Sequence, residues 1–180
     1  MRALFVFACL VLAVPQARAV DGMSIELGSS DSSNTSVDMA RIGVQWNWSK
    51  RWALGSNWHI GGFWDLSLSY WDNDSRDRTT SSIVDFGFTP VFRLQQATPG
   101  AVAPYLEAAI GFHYLSNSSL ASKRRLGSRF QFGDHIGLGL RFGPRHAYDI
   151  GYRYQHLSNA GIKEPNQGVN FHQVRLQYHF

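Results

Sequence analysis

The chain has 180 residues, of which 44% are apolar, 14% aromatic and only 17% charged, with 17 Gly. It is too apolar and aromatic to stay disordered and long enough for one domain, and its charge lies below the ~25% of an average soluble domain. The formal net charge of +4 is not gathered into a long basic block, since Lys123-Arg124-Arg125 is the one short cluster, so nucleic acid is not an expected partner.

The first element is an export leader. Arg2 supplies the positive start, Ala3 to Val14 an apolar stretch, and Ala17-Arg18-Ala19 a small-residue cleavage site. Removing 19 of the 180 residues leaves 161, beginning at Val20 and forming one domain over 20–180. The single cysteine, Cys9, leaves with the leader, so the mature chain is expected to have no disulfide, no thiolate metal site and no cysteine nucleophile. No other stretch reaches the ~18 apolar residues of a membrane-spanning helix.

The remainder alternates at period two. Around Trp58 the sequence sets Ile60, Trp64, Leu66, Leu68 and Tyr70 against His59, Asp65, Ser67 and Ser69; around Leu106 it sets Ala108, Ile110, Phe112 and Tyr114 against Glu107 and His113. Alternation over ten residues or more is a strand signal. It predicts eight strands near 22–30, 37–48, 53–71, 81–95, 103–116, 128–142, 146–158 and 169–180. Short turns near 49–51, 97–100 and 143–145 alternate with long polar loops at 29–36, 72–80, 116–127 and 159–168. This pattern predicts an all-β, eight-stranded antiparallel barrel of the bacterial outer membrane, with lipid outside. The inner face would carry Arg41, Gln45, Asn57, Asp65, Asp85, Arg93, Glu107, Arg141, Arg153, Arg175 and Gln177, with its charges paired. A soluble barrel turned inside out would instead expose these charges and pack the Trp and Tyr within.

Polar residues on the apolar face are costly in lipid and are functional candidates. They gather on the last three strands: Asp134, then His156 and Ser158, then Asn170 and His172. His156 and Ser158 lie two apart on one strand face, their Cα atoms roughly 6.5–7 Å apart, a spacing that suits a base activating a serine. Hairpin pairing brings Asn170 or His172 beside His156, and Asp134 to its other side. The alternatives are rim residues wetted by solvent, and a bulge turning Asp134 inward.

The segment His156-Leu157-Ser158-Asn159-Ala160-Gly161-Ile162-Lys163, with Pro165-Asn166 and Gly168, resembles the motif of the PagL-type lipid A 3-O-deacylases. Weaker similarity extends over Tyr70-Trp71, Pro90-Val91-Phe92, 106–111 and Phe132-Gly133-Asp134. The resemblance implies an outer-membrane serine esterase whose active site faces lipid at the level of the outer leaflet. Its substrate is the ester-linked 3-hydroxyacyl chain at position 3 of lipid A in lipopolysaccharide, and it uses no cofactor and no metal. It implies Ser158 as nucleophile and His156 as general base, with Asn159, Ala160, Gly161 and Asn166 forming or supporting an oxyanion hole. The family's third member is a glutamate where this chain has Asn170; Asn170 is expected to orient His156, with Asp134 as a possible source of the missing charge. Lys123, Arg124, Arg125 and Lys163, in long loops on one side, are candidates for holding lipid A phosphates. A different outer-membrane phospholipase or acyltransferase, or a weak or structural barrel, is the alternative that Asn170 leaves open, as is monomer or homodimer.

Overall fold

A computed structural model describes residues 19–30 and 35–180. The expected leader, with Cys9, lies outside the described residues except for Ala19. Eight long strands form the wall: β1 (Gly22–Ser30), β2 (Val37–Asn47), β4 (Trp58–Asn73), β5 (Ser82–Gln96), β6 (Val102–Leu115), β9 (Phe130–Phe142), β10 (Tyr148–Ser158) and β11 (Val169–His179). Three short strands are accessory: β3 (Trp52–Leu54) beside β4, and the hairpin β7 (Ser119–Ala121) and β8 (Arg124–Arg125) within the longest loop. All pairings are antiparallel, and β1 pairs with both β2 and β11, so the sheet closes without a free edge.

Two expected features differ. The strand expected over 53–71 is broken at 55–57, where Gly55 adopts a φ of 70° and turns the chain back into β3. Asn57, expected inside, therefore sits exposed in that turn, and its carbonyl accepts the Ala97 N–H. The loop expected over 116–127 holds the β7–β8 hairpin, whose two-to-three-residue strands are too short to leave a period-two signal.

The alternation is resolved with the apolar side outward. Leu27, Ile42, Leu68, Phe86, Ile110, Ile136 and Val174 are exposed, whereas Glu26, Arg41, Asp85, Arg93, Glu107, Arg153 and Arg175 are buried inside. Only surrounding lipid gives that arrangement a physical rationale. The inner charges pair as expected: Arg153 Nε lies 2.5 Å from Glu107, Arg93 2.8 Å from both Glu107 and Asp149, and Arg153 and Arg175 3.0 and 3.2 Å from Glu26.

The loop end of the interior is largely apolar. Val37, Met39, Trp71, Ile83, Leu115, Leu120, Leu126, Leu157, Val169 and Phe171 form a buried apolar plug, with Trp71 and Phe171 ring centroids 4.8 Å apart. Each such side chain taken out of water contributes about 1.5–3 kcal/mol. Leu120 and Leu126, brought in by the accessory hairpin, lid the plug. Outside, at the same end, Phe112, Phe130 and Phe132 form an aromatic cluster with centroids 5.1–6.1 Å apart, the kind of girdle that marks a membrane interface.

Candidate active site

The last four residues of β10 explain where the site lies. Gln155 points inward, where its side chain accepts a hydrogen bond from Arg41 at 2.9 Å and from Gln173 at 2.8 Å. Leu157 also points inward and is fully buried in the apolar plug. A polar anchor and an apolar anchor on one face oblige His156 and Ser158 onto the other, which is the lipid face. Both are half-buried there. In register Ser158 is opposite Phe132, which pairs in turn with Phe112, so the hydroxyl stands at the level of the aromatic girdle.

The neighbouring strands complete the row. His156 is paired with Asn170 on β11 and with Asp134 on β9. Asn170 Oδ1 accepts the His156 Nδ1–H at 2.5 Å, which leaves Nε2 as the unprotonated nitrogen. That edge of the ring rests against Gly168: a Cβ there would lie 2.7 Å from His156 Cε1 and 3.3 Å from Nε2. Gly168 directly precedes Val169, the partner of Leu157, and so is level with Ser158. The imidazole thus leans from its own row toward the serine row. The Ser158 hydroxyl itself makes no hydrogen bond among the described residues, as is common for catalytic pairs before substrate binds.

Asp134 stays outward in regular register, so no bulge turns it inward. It makes no hydrogen bond or ion pair with His156. His172 lies one row deeper, its Nδ1 hydrogen-bonded to the Tyr152 hydroxyl and its ring 5.0 Å from that of Tyr154. An apolar groove of about 560 Å3 runs down the wall from His156 and Asp134 between Tyr154, Ile136, Ile110 and Phe92. Its floor is Ala108, a small residue set between Phe92 and Ile136. A larger apolar hollow, about 690 Å3, lies around Gly43 on another part of the wall. No imidazole or carboxylate lines it, whereas the smaller groove starts at both.

The loop 159–168 is held from below. Asn159 is fully buried; its amide nitrogen donates to Leu126 O at 2.8 Å and Lys163 O at 2.7 Å, and its backbone N–H donates to Asn166 Oδ1 at 3.0 Å. The Asn159 amide and the Asn166 side-chain oxygen thus shape the loop, the supporting one of the two roles expected for them. Ala160 and Gly161 follow with φ of 53° and 77°, in a turn closed by Ile162 N–H to Asn159 O at 3.1 Å. Their own N–H groups make no hydrogen bond among the described residues. Glu164 accepts the Asn166 N–H at 3.0 Å and stays in the loop.

The basic cluster divides. Arg124 donates to Gly168 O at 3.0 Å, and Arg125 N–H donates to Gln167 Oε1 at 2.6 Å, so the accessory hairpin braces the loop that carries Gly168. Arg124, one of the four expected phosphate-holding cations, is engaged as a brace; Lys123, Arg125 and Lys163 keep exposed side chains. The sequence reading missed this brace, the groove and the packing of Gly168. The signal for the last was the glycine at the junction of the expected loop and the last strand.

An outward-facing apolar wall with a serine, an imidazole and an amide aligned on it is the arrangement a lipid-facing barrel hydrolase would need. The chain belongs to the PagL family: the family model described as "Lipid A 3-O-deacylase (PagL)" matches residues 38–179. The lipid A deacylase PagL of Pseudomonas aeruginosa is 33% identical over 156 residues, covering 87% of this chain and 84% of that protein. The same-named protein of Bordetella bronchiseptica is 36% identical over 183 residues, covering 98% and 95%. A crystal structure of the outer membrane enzyme PagL superposes with a TM-score of 0.77 at 29% identity, covering 88% of this chain and 99% of that one. Neisserial surface protein A shares the fold alone, with a TM-score of 0.52 at 12% identity.

Proposed function

We propose that this outer-membrane lipid A 3-O-deacylase works through Ser158 as nucleophile and His156 as general base, on the outside of the barrel at the level of the outer leaflet. The observation that carries this is the His156–Asn170 hydrogen bond at 2.5 Å: with Nδ1 holding its proton on Asn170, Nε2 is left as a base facing the serine row. His156 takes the Ser158 proton as the hydroxyl oxygen attacks the ester carbonyl of the 3-hydroxyacyl chain. The free N–H groups of Ala160 and Gly161, two and three residues beyond Ser158, are suited to receive the oxyanion. His156 then passes its proton to the departing sugar hydroxyl at position 3, and water, deprotonated by the same imidazole, releases the 3-hydroxy fatty acid from Ser158.

The groove floored by Ala108 receives the acyl chain, and the exposed Lys123, Arg125 and Lys163 hold the phosphates of lipid A above it. Residues 1–19 serve as a cleaved export leader. No metal or cofactor takes part in the scheme.

A fluorophosphonate probe tests the nucleophile directly. Added to the purified barrel in detergent, it is expected to raise the intact mass by one adduct located on Ser158, and to leave Ser158→Ala and His156→Asn unlabelled. Labelling of Ser158→Ala, or of neither protein, would contradict the assignment.

A further inference from the structure

Asp134 is the residue that the scheme above leaves without work. It is an ionisable side chain on the lipid face of β9, exposed, at the mouth of the apolar groove. Among the described residues it has no hydrogen-bond or ion-pair partner, although its strand neighbours His156 and Ile110 stand on either side of it. Every carboxylate inside the barrel that was named above is paired with arginine; this one, in the least hospitable place for it, is paired with nothing. A carboxylate facing lipid is retained at a cost unless something brought in by the substrate satisfies it.

We propose that Asp134 is a substrate-binding residue that accepts a hydrogen bond from the 3-hydroxyl of the acyl chain and so selects hydroxylated chains for hydrolysis. This rests on the reading of Ser158 and His156 given above and deepens it. The rows give the geometry. The attacked carbonyl must meet Ser158, and the chain descends from there past the His156–Asp134 row, roughly 6.5–7 Å lower. The hydroxyl-bearing carbon is the second after the carbonyl carbon, about 2.5 Å further along an extended chain whose carbonyl already lies below the serine row. A carboxylate one strand over from His156, within about 5 Å Cα to Cα, is at the right depth to meet that hydroxyl. Below it the groove is mostly apolar, lined by Ala108, Ile110, Ile136 and Phe92 with Tyr154 at one side, so it offers partners chiefly to methylene groups. A chain lacking the hydroxyl would fill the groove and leave the carboxylate desolvated and unpaired, which is how a buried polar group rejects an otherwise isosteric ligand.

The test compares the 14-carbon 3-hydroxyacyl and unsubstituted acyl esters of p-nitrophenol, in detergent micelles, with the full mature chain. The native protein is expected to favour the hydroxylated ester by about ten- to a hundredfold in kcat/KM, the effect of one hydrogen bond to a charged group. Asp134→Leu should bring that ratio close to one, and Asp134→Asn, whose amide oxygen still accepts, should fall between. Heat-dependent gel mobility reports whether each variant is a closed barrel, and Asp134→Asn keeps the size of the native side chain if the leucine fails to fold. A ratio that stays high in both variants overturns the proposal, as does a native protein with no preference. Equal loss on both esters would make Asp134 a partner of His156, and would also overturn it. A native protein that cleaves neither these esters nor lipid A overturns the esterase reading itself, a result distinct from the others.

Discussion

Asn170 stands where the motif resemblance leads one to expect an acid beside the histidine. A carboxylate there would both fix the imidazole tautomer and stabilise the imidazolium as it forms; an amide oxygen does only the first. Because Asn170 Oδ1 already touches His156 Nδ1, the isosteric Asn170→Asp adds charge without moving an atom. It is expected to raise kcat on lipid A in micelles, whereas Asn170→Leu, which leaves the tautomer unguided, should lower it by about a hundredfold or more. Equal rates for Asn170→Asp and the native chain would mean that imidazolium formation does not limit the reaction. Beside this pair Gly168, at a φ of 63°, has no Cβ to crowd the ring edge of His156.

At the scale of elements, the site is the top of one hairpin braced by another. Loop 159–168 hangs on the buried Asn159 amide, and Asn159→Ala would leave Leu126 O and Lys163 O without their donor at about 1–3 kcal/mol for each buried group. The loss should appear as faster hydrogen exchange at 160–168 and a slower enzyme, with the thermal unfolding of the wall scarcely changed; retention of full activity would separate the loop from catalysis. Much of the wall was legible because period two survives wherever one face meets lipid and the other a packed interior. His156, Ser158, Asn170 and Asp134 stood out as polar residues on the wrong parity. What the sequence hid was conferred by distant contacts. Arg124 reads as a surface cation until β7 and β8 fold it onto Gly168, and Asn159 reads equally as oxyanion donor or loop support until its amide is committed to two carbonyls. The apolar plug was hidden too, since Leu157, Val169 and Phe171 belong to the inner parity that elsewhere carries charge.

For the molecule as a whole, the interior joins an apolar plug under the loops to an arginine–carboxylate network, with a small apolar cluster of Phe63, Val91 and Ala109 packed beside that network. Closure of β1 on β11 makes each region span strands far apart in sequence, as in Arg153 to Glu26 and Glu107. A buried network of this kind adds little over an apolar filling, but removing one partner leaves a charge stranded. Glu107→Leu would deprive Arg153 of its closest carboxylate and Arg93 of one of its two, and is expected to lower unfolding stability in micelles by about 3–5 kcal/mol. Ser158→Ala, on the outside, should leave it unchanged; stability equal to native in Glu107→Leu would show that the network reorganises without penalty.

That contrast sets up the most direct test of the account, because Ser158→Ala keeps the barrel and removes only the nucleophile. Lipid A is extracted from Gram-negative cells expressing the native chain or Ser158→Ala at equal levels in the outer membrane, and its mass spectrum recorded. The account predicts loss of one 3-hydroxyacyl group, taken from position 3, with the native chain and an unaltered lipid A with Ser158→Ala. Equal deacylation by both proteins, or loss of a chain from another position, would contradict it.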